Sequence, residues 1–401
     1  MARTISDSNP ATKGSLPYRL LRGIWRRTVR PLLSAGNWFV QMYDNRGGRE
    51  ATRSRRIAAQ ADAVLKRLKQ LKTTHPGRKL VGILLTEHFG DIVACEPVVP
   101  WLRTRHAGDL IVWITRPVYA GLLKEHPLLD AVVEADSISA CGVIIRSGVL
   151  DRVVDLHLHR KPCTDFGGEH KKEWGNPGVD TENYYHQGTL LEAMSIGAGL
   201  PPLDGQPFLS LPPGETGKVG GLNLPPLFIA IHAISNEVSR NWNPERWNQL
   251  AAQITSRFGL PVVEIGFVPV LSDQDNDIPS RNNSMESLRL NLCGRLSLVE
   301  TAEVIRRAAY FIGVDSGPAH LANAFKIPSV ILTGQYRDFK HYMPYTGYLR
   351  DHAGEMVIQW DDPAAGIPVD EVLRRFEAVR GLFPANNAAP QTTPGLTGQQ
   401  D

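Results

Sequence analysis

Two short stretches group residues that can hold an anion or move a proton. Asp315-Ser316-Gly317-Pro318-Ala319-His320 stands where the apolar run Tyr310 to Val314 gives way to small and polar residues. Pro318 suits the first position of a helix, because its missing N–H would have no partner there. Asp315 or Ser316 suits the cap. Backbone N–H groups at such a start, beside Gly317, form an anion site for which a diphosphate is the natural guest. His320, one turn further, can add a hydrogen bond or a charge. The same residues would serve equally as a capped helix in a βαβ unit with nothing bound. Glu87-His88-Phe89-Gly90-Asp91 follows a second apolar run, Lys79 to Leu85. A carboxylate there can take a proton from an attacking hydroxyl, or it can simply cap the next helix. Glu87 and His88 offer a second base or an acceptor contact.

Other groupings carry less. His157 and His159 would share one side of an extended strand, but no further ligand stands at useful spacing, so no metal site is expected. Gly214-Glu215-Thr216-Gly217-Lys218 approaches a phosphate loop. Pro212 and Val219 occupy the places where that loop needs Gly and Ser or Thr. No Gly-x-Gly-x-x-Gly follows any expected strand, which argues against a nicotinamide enzyme.

Strands must position these loops. Apolar runs at 79–85, 111–115, 130–134 and 151–158 alternate with helical patterns at 92–105, 118–125 and 189–199. That alternation predicts a parallel sheet with helices on both faces, in which ligands bind beyond the carboxyl ends of the strands. Seven prolines with many glycines over 201–226 read as a linker. A second series begins at Leu227 to His232 and continues through Pro261 to Gly266, Tyr310 to Val314 and Ile327 to Leu332. The expected division is a basic helical arm, partly disordered, over 1–78, domains over 79–210 and 227–368 joined by 211–226, a final helix over 369–384 crossing back to the first domain, and a disordered tail over 385–401. The long loop 160–188 is a candidate acceptor lid, in which Lys171 and Lys172 could meet acceptor phosphates.

The run from Leu292 to Gly334, with Cys293-Gly294-Arg295-Leu296-Ser297 before the turn and Asp315 to His320 within it, resembles the heptosyltransferase family, glycosyltransferase family nine. A weaker likeness extends over about 81–383. The resemblance implies an α/β fold with the GT-B arrangement, two Rossmann-like domains facing one cleft. It implies transfer of a sugar, a heptose from an ADP-activated donor, with inversion and without metal or other cofactor. The acceptor implied is a lipopolysaccharide-core or related glycan. Gly90-Asp91 matches the family's Gly-Asp, which makes Asp91 the catalytic base. Arg240-Asn241-Trp242 resembles the family's basic residue before Trp, a cation that neutralises the leaving diphosphate and that Arg supplies through paired N–H groups. Asp315, Ser316, Gly317, Pro318, Ala319 and His320 are then the donor-binding turn, and Asp155 lies beside the acceptor. Residues 268–287 fall where the family contacts the nucleotide base, with Glu264 at the strand end before them. Two departures stand out: Ala233-Ile234 replaces small residues after the first strand of the second domain, and Thr333-Gly334-Gln335-Tyr336 replaces Phe-Gly-Pro. A nucleotide-sugar epimerase, acting without acceptor, or a non-catalytic nucleotide-sugar-binding protein of the same fold are the alternatives.

Composition sets the setting. No run of 18 apolar residues is present, so no spanning helix is expected. The four cysteines are scattered without a Cys-x-x-Cys pair, which fits a reducing cytoplasm. The net charge of +3 conceals an asymmetry. The first 80 residues hold 18 Lys and Arg against 4 Asp and Glu, and the remainder holds 26 against 37. Within this arm, residues 18–33 place Leu20, Leu21, Ile24 and Trp25 opposite Arg19, Arg22, Arg26 and Arg30. Such a helix suits the interface of an anionic membrane, which the family resemblance implies is the inner face of a bacterial inner membrane. Packing on the body is the other reading. No nucleic-acid module accompanies the charge.

Overall fold

The computed structural model describes residues 46–163, 168–271, 289–336 and 342–385. The chain divides into an N-terminal unit, Met1–Arg56, and a body, Ile57–Asp401. Residues 18–33, the expected membrane helix, lie outside the described residues, as do most of 268–287.

The first half of the body is built on a four-stranded parallel sheet of β1 (Leu80–Leu84), β2 (Leu110–Thr115), β3 (Ala131–Glu134) and β4 (Arg152–Asp155), ordered β3-β2-β1-β4. Side chains alternate across it, as a two-residue period requires. Leu80 and Leu84 point to one face, where they pack with Ala61, Val64, Leu68 and Leu71 of α1 (Arg46–Thr74). Val81, Ile83 and Leu85 point to the other, against α2 (Phe89–Cys95), α3 (Val98–Arg105) and, beyond α4 (Ile138–Arg146), α5 (Leu190–Gly197). The helix expected as part of the arm is therefore a layer of this domain. Its apolar stripe recurs every three or four residues, the spacing that keeps one side of a helix against a sheet.

The second half is a six-stranded parallel sheet. Its strands are β7 (Ile229–His232), β8 (Val262–Glu264), β9 (Arg289–Asn291), β10 (Tyr310–Val314), β11 (Ser329–Thr333) and β12 (Val357–Gln359), ordered β12-β11-β10-β7-β8-β9. The central strands are buried along their whole length, as expected of a sheet covered on both faces. A two-stranded antiparallel ribbon, β5 (Lys161–Pro162) with β6 (Glu169–His170), projects from the long loop of the first half.

Four expectations change. The strand expected over 151–158 ends at Asp155, because Asp155 and His157 turn inward to bond each other. Helix over 118–125 is limited to Pro117–Ala120, followed by turns. The linker contains α6 (Pro213–Val219), so its prolines start a helix as well as breaking one. After α7 (Pro244–Phe258), α8 (Leu298–Arg307) and α9 (Gly317–Ala324) comes the last helix, α10 (Val369–Leu382). It does not cross to the first domain: Val372, Leu373, Phe376 and Val379 are buried in the core of the second sheet.

Candidate active site

The site is built where the carboxyl ends of β1 and β10 meet, each delivering a loop and then a helix. The two helix starts touch. A Cβ on Gly90 would stand 3.0 Å from the Gly317 Cα, and one on Gly317 would stand 2.3 Å from the Phe89 ring. Gly317 thus admits the Phe89 ring, where its openness alone suggested room for a ligand. Pro318 is the second residue of α9, one later than expected.

Ser316 occupies the cap position of α9, but neither its side chain nor that of Asp315 caps the helix. Ser316 Oγ donates to the Val314 carbonyl at 3.0 Å and accepts from His232 Nδ1 at 3.0 Å. The start of α9 therefore keeps its positive end uncapped by any side chain, the condition for holding an anion. Buried His232 and His320 both have pKa values lowered to about 4, by burial first. His320 is consequently neutral near pH 7 and brings a hydrogen bond rather than the charge the sequence allowed. Its Nδ1 is buried without a partner among the described residues.

Asp315 is buried and fully engaged. Its Oδ1 accepts from the Tyr345 hydroxyl at 2.6 Å and its Oδ2 pairs with Arg240 at 2.9 Å. Arg240 also lies over the Tyr336 ring, 4.4 Å from its centroid. Burial works to lower its pKa, and the Asp315 carboxylate together with Tyr184, Tyr336 and Tyr345 outweighs burial and raises it. The loop carrying Arg240 is clasped by Asn241, which accepts from Ser235 N–H at 2.6 Å and donates to the Ser235 carbonyl at 3.1 Å.

Across the cleft, Asp91 lies in the first turn of α2, whose cap residue is the exposed His88, with no side-chain capping bond. The capping alternative for Asp91 is not what the structure displays. Burial pushes the Asp91 pKa up, opposed by Lys161 and Arg240 and reinforced by Glu87. Glu87 is instead lowered: burial raises it, but its 2.9 Å ion pair with Lys161, together with His157 and His88, prevails. Two neighbouring carboxyls are thus pushed apart, one held ionised and the other made more basic, a division seen where acid–base work is done. Asp91 and Arg240, from different halves, lie within electrostatic reach of each other.

Asp155 is taken up by bonds of its own. It is buried and accepts from His157 Nδ1 at 2.7 Å and His170 Nε2 at 2.9 Å. These three could hold a metal ion by proximity, but the imidazole orientation disfavours it. The Thr86 backbone N–H donates to His157 Nε2 at 2.9 Å, so Nε2 is the bare nitrogen and Nδ1 carries the proton toward Asp155. A metal on Nδ1 would require a proton on Nε2, facing that N–H. Asp155 is a brace that ties the long loop, through His170, to the end of β1. His159 accepts from Lys172 N–H, and the buried Lys172 ammonium donates to the His157 carbonyl at 2.7 Å. Lys172 is therefore unavailable to acceptor phosphates; Lys171 is exposed. Glu264 also turns away from a ligand role, accepting from Val270 and Leu271 N–H groups.

Residues 218–347 match the family model described as Glycosyltransferase family 9 (heptosyltransferase). This segment, about a third of the chain, is similar to glycosyltransferase family 9. Similar solved structures include a glycosyltransferase family 9 protein from Veillonella parvula, at 16% identity, covering 75% of this chain and 97% of that one with a TM-score of 0.56. The ADP-heptose lps heptosyltransferase II of E. coli is 17% identical, covers 75% and 98%, and has a TM-score of 0.52. The dodecameric iron-containing heptosyltransferase TibC of enterotoxigenic E. coli, in complex with ADP-D-beta-D-heptose, is 16% identical, covers 78% and 79%, and has a TM-score of 0.51. No curated protein matches the chain. At these identities the structures establish the fold: two parallel α/β sheets in the GT-B arrangement of heptosyltransferases. The family 9 segment contains Arg240, Asp315 to His320 and Tyr336 to Tyr345, whereas Asp91 lies outside it.

Sequence reasoning placed Asp91, Arg240 and the 315–320 turn, and the structure brings these together. It did not assign roles to Lys161, His232, Tyr342 or Tyr345. These are single residues in irregular segments, and no local pattern marks them.

Proposed function

We propose that this protein is an inverting glycosyltransferase that moves a sugar, a heptose from ADP-heptose, onto a lipopolysaccharide-core or related glycan. The observation that supports it most is the convergence of a basic carboxylate, Asp91, with an ion-paired guanidinium and an uncapped helix start, Arg240 and residues 316–319. Asp91 removes the proton of the acceptor hydroxyl as its oxygen attacks the anomeric carbon. The bond from that carbon to the diphosphate oxygen breaks on the opposite side, and its electron pair leaves with the nucleoside diphosphate. Arg240 and the start of α9 meet the charge that develops. Asp315 holds Arg240 in place and faces the donor sugar, and His320 donates or accepts as a neutral imidazole. Glu87 and His88 line the acceptor side. The reading assigns counter-charge to Arg240 rather than to a metal or other cofactor. No helix among the described residues is long and apolar enough to cross a membrane. We assign the protein to the cytoplasmic face of the membrane that bears the acceptor, with residues 18–33 as the contact.

The test is transfer from ADP-heptose by wild type and Asp91→Asn. Loss of a proton acceptor should lower kcat by about 10²–10⁴-fold while the donor still raises the melting temperature of the variant. Full transfer by Asp91→Asn would remove the base assignment. Turnover of donor without acceptor would favour an epimerase.

A further inference from the structure

Four tyrosines, Tyr184, Tyr336, Tyr342 and Tyr345, lie around the Arg240–Asp315 pair, and all but one have a use. Tyr345 donates to Asp315, Tyr336 stacks on Arg240, and Tyr184 shares a hydrogen bond with Tyr336. Tyr185 packs edge-on to Tyr336. Tyr342 is the exception. Its ring, 8% exposed, meets Tyr184 edge to face at 6.0 Å, and its hydroxyl is buried with no partner among the described residues. A phenol can fill such a place as an apolar body, yet a buried hydroxyl left unpaired is disfavoured unless something satisfies it.

The position identifies the partner. The Tyr342 ring packs on Tyr184, and its hydroxyl lies within electrostatic reach of Asp91 on the acceptor side and of Asp315 and Arg240 on the donor side. In an in-line displacement the group between base and leaving diphosphate is the sugar in transfer. His320 Nδ1, the other unpaired polar atom here, approaches the same Arg240–Asp315 pair. We propose that Tyr342 contacts the transferred sugar, its hydroxyl hydrogen-bonding a sugar hydroxyl in the donor complex and so helping to select the sugar rather than the nucleotide. This rests on the glycosyltransferase reading above and adds a binding residue to that site.

Tyr342→Phe removes only the oxygen. Thermal shifts of wild type and variant are measured with ADP, UDP and GDP and with ADP-heptose, UDP-glucose and GDP-mannose, alongside transfer kinetics with ADP-heptose. The expected result is an unchanged shift with the free nucleotide and a smaller shift with its sugar conjugate. Transfer kcat/KM should fall about tenfold, the scale of one hydrogen bond. The ligand-free melting temperature should not fall, because no native bond is lost. Wild-type kinetics in Tyr342→Phe would overturn the inference. Equal loss for nucleotide and conjugate would also overturn it, since that result places the contact on the diphosphate. If wild type responds to none of the six ligands, the glycosyltransferase reading fails and this inference fails with it. Tyr345→Phe separates a general loss of order: it frees Asp315 and should weaken free nucleotide and conjugate alike.

Discussion

Asp91 and Glu87 are four residues apart, and their pKa values are shifted in opposite directions. Burial makes Asp91 a better proton acceptor than an ordinary carboxylate, while Lys161 keeps Glu87 ionised. Activity that needs Asp91 as its anion is lost as pH falls through a pKa raised above the ordinary 3.8. Glu87→Gln removes a neighbouring negative charge and releases Lys161 from its pair, and both changes favour ionised Asp91. The acid limb of kcat/KM against pH should therefore move down. An unmoved limb would show that another group titrates there. Asp155 illustrates the contrary case. Burial raises its pKa, but bonds from His157 and His170 overcome burial and hold it well below the ordinary range. That is the mark of a structural brace rather than a proton carrier.

At the scale of elements, the site depends on α2 and α9 starting in contact. Two glycines make this approach possible, and the Phe89 ring fills the space above one of them. Gly317→Ala would press a methyl into that ring and should cost about 1–3 kcal/mol of unfolding free energy. Phe89→Ala in the same chain should recover part of it, giving a coupling energy of opposite sign measurable by denaturant unfolding. Simple additivity would mean the helices part without strain. The segment between the halves is docked rather than loose. Phe208 N–H donates to buried Glu96 of the first half, and Gln206 bonds Asn323 and Tyr348 of the second. On the far face of the first sheet, Leu68→Ala should lower stability by about 2–5 kcal/mol, because α1 is a layer of the core and not an appendage.

For the whole molecule, the two buried imidazoles set an acid limit. His232 and His320 have pKa values near 4 when folded, against an ordinary 6.5. The unfolded chain binds more protons between these values, so stability rises with pH across that window and levels off above it. Each contributes a slope approaching 1.4 kcal/mol per pH unit mid-window. Melting temperature should fall steadily from pH 6.5 to 4, and His320→Gln should flatten the fall.

By itself the sequence determined what is local. The alternation of strand and helix and the turn at 315–320 were readable because each is a contiguous pattern whose residues meet through backbone geometry alone; Gly90-Asp91 and Arg240 were singled out by resemblance of their short motifs to a family. Tertiary structure decided the rest, because the partners are distant along the chain. Asp315 depends on Arg240 and Tyr345, Glu87 on Lys161, and Gly317 on Phe89. Burial, which sets the sign of each pKa shift, arises from the packing of the two halves and appears in no short stretch of sequence. Tyr342 shows the limit most plainly: only the folded cleft reveals that its hydroxyl is enclosed and unpaired.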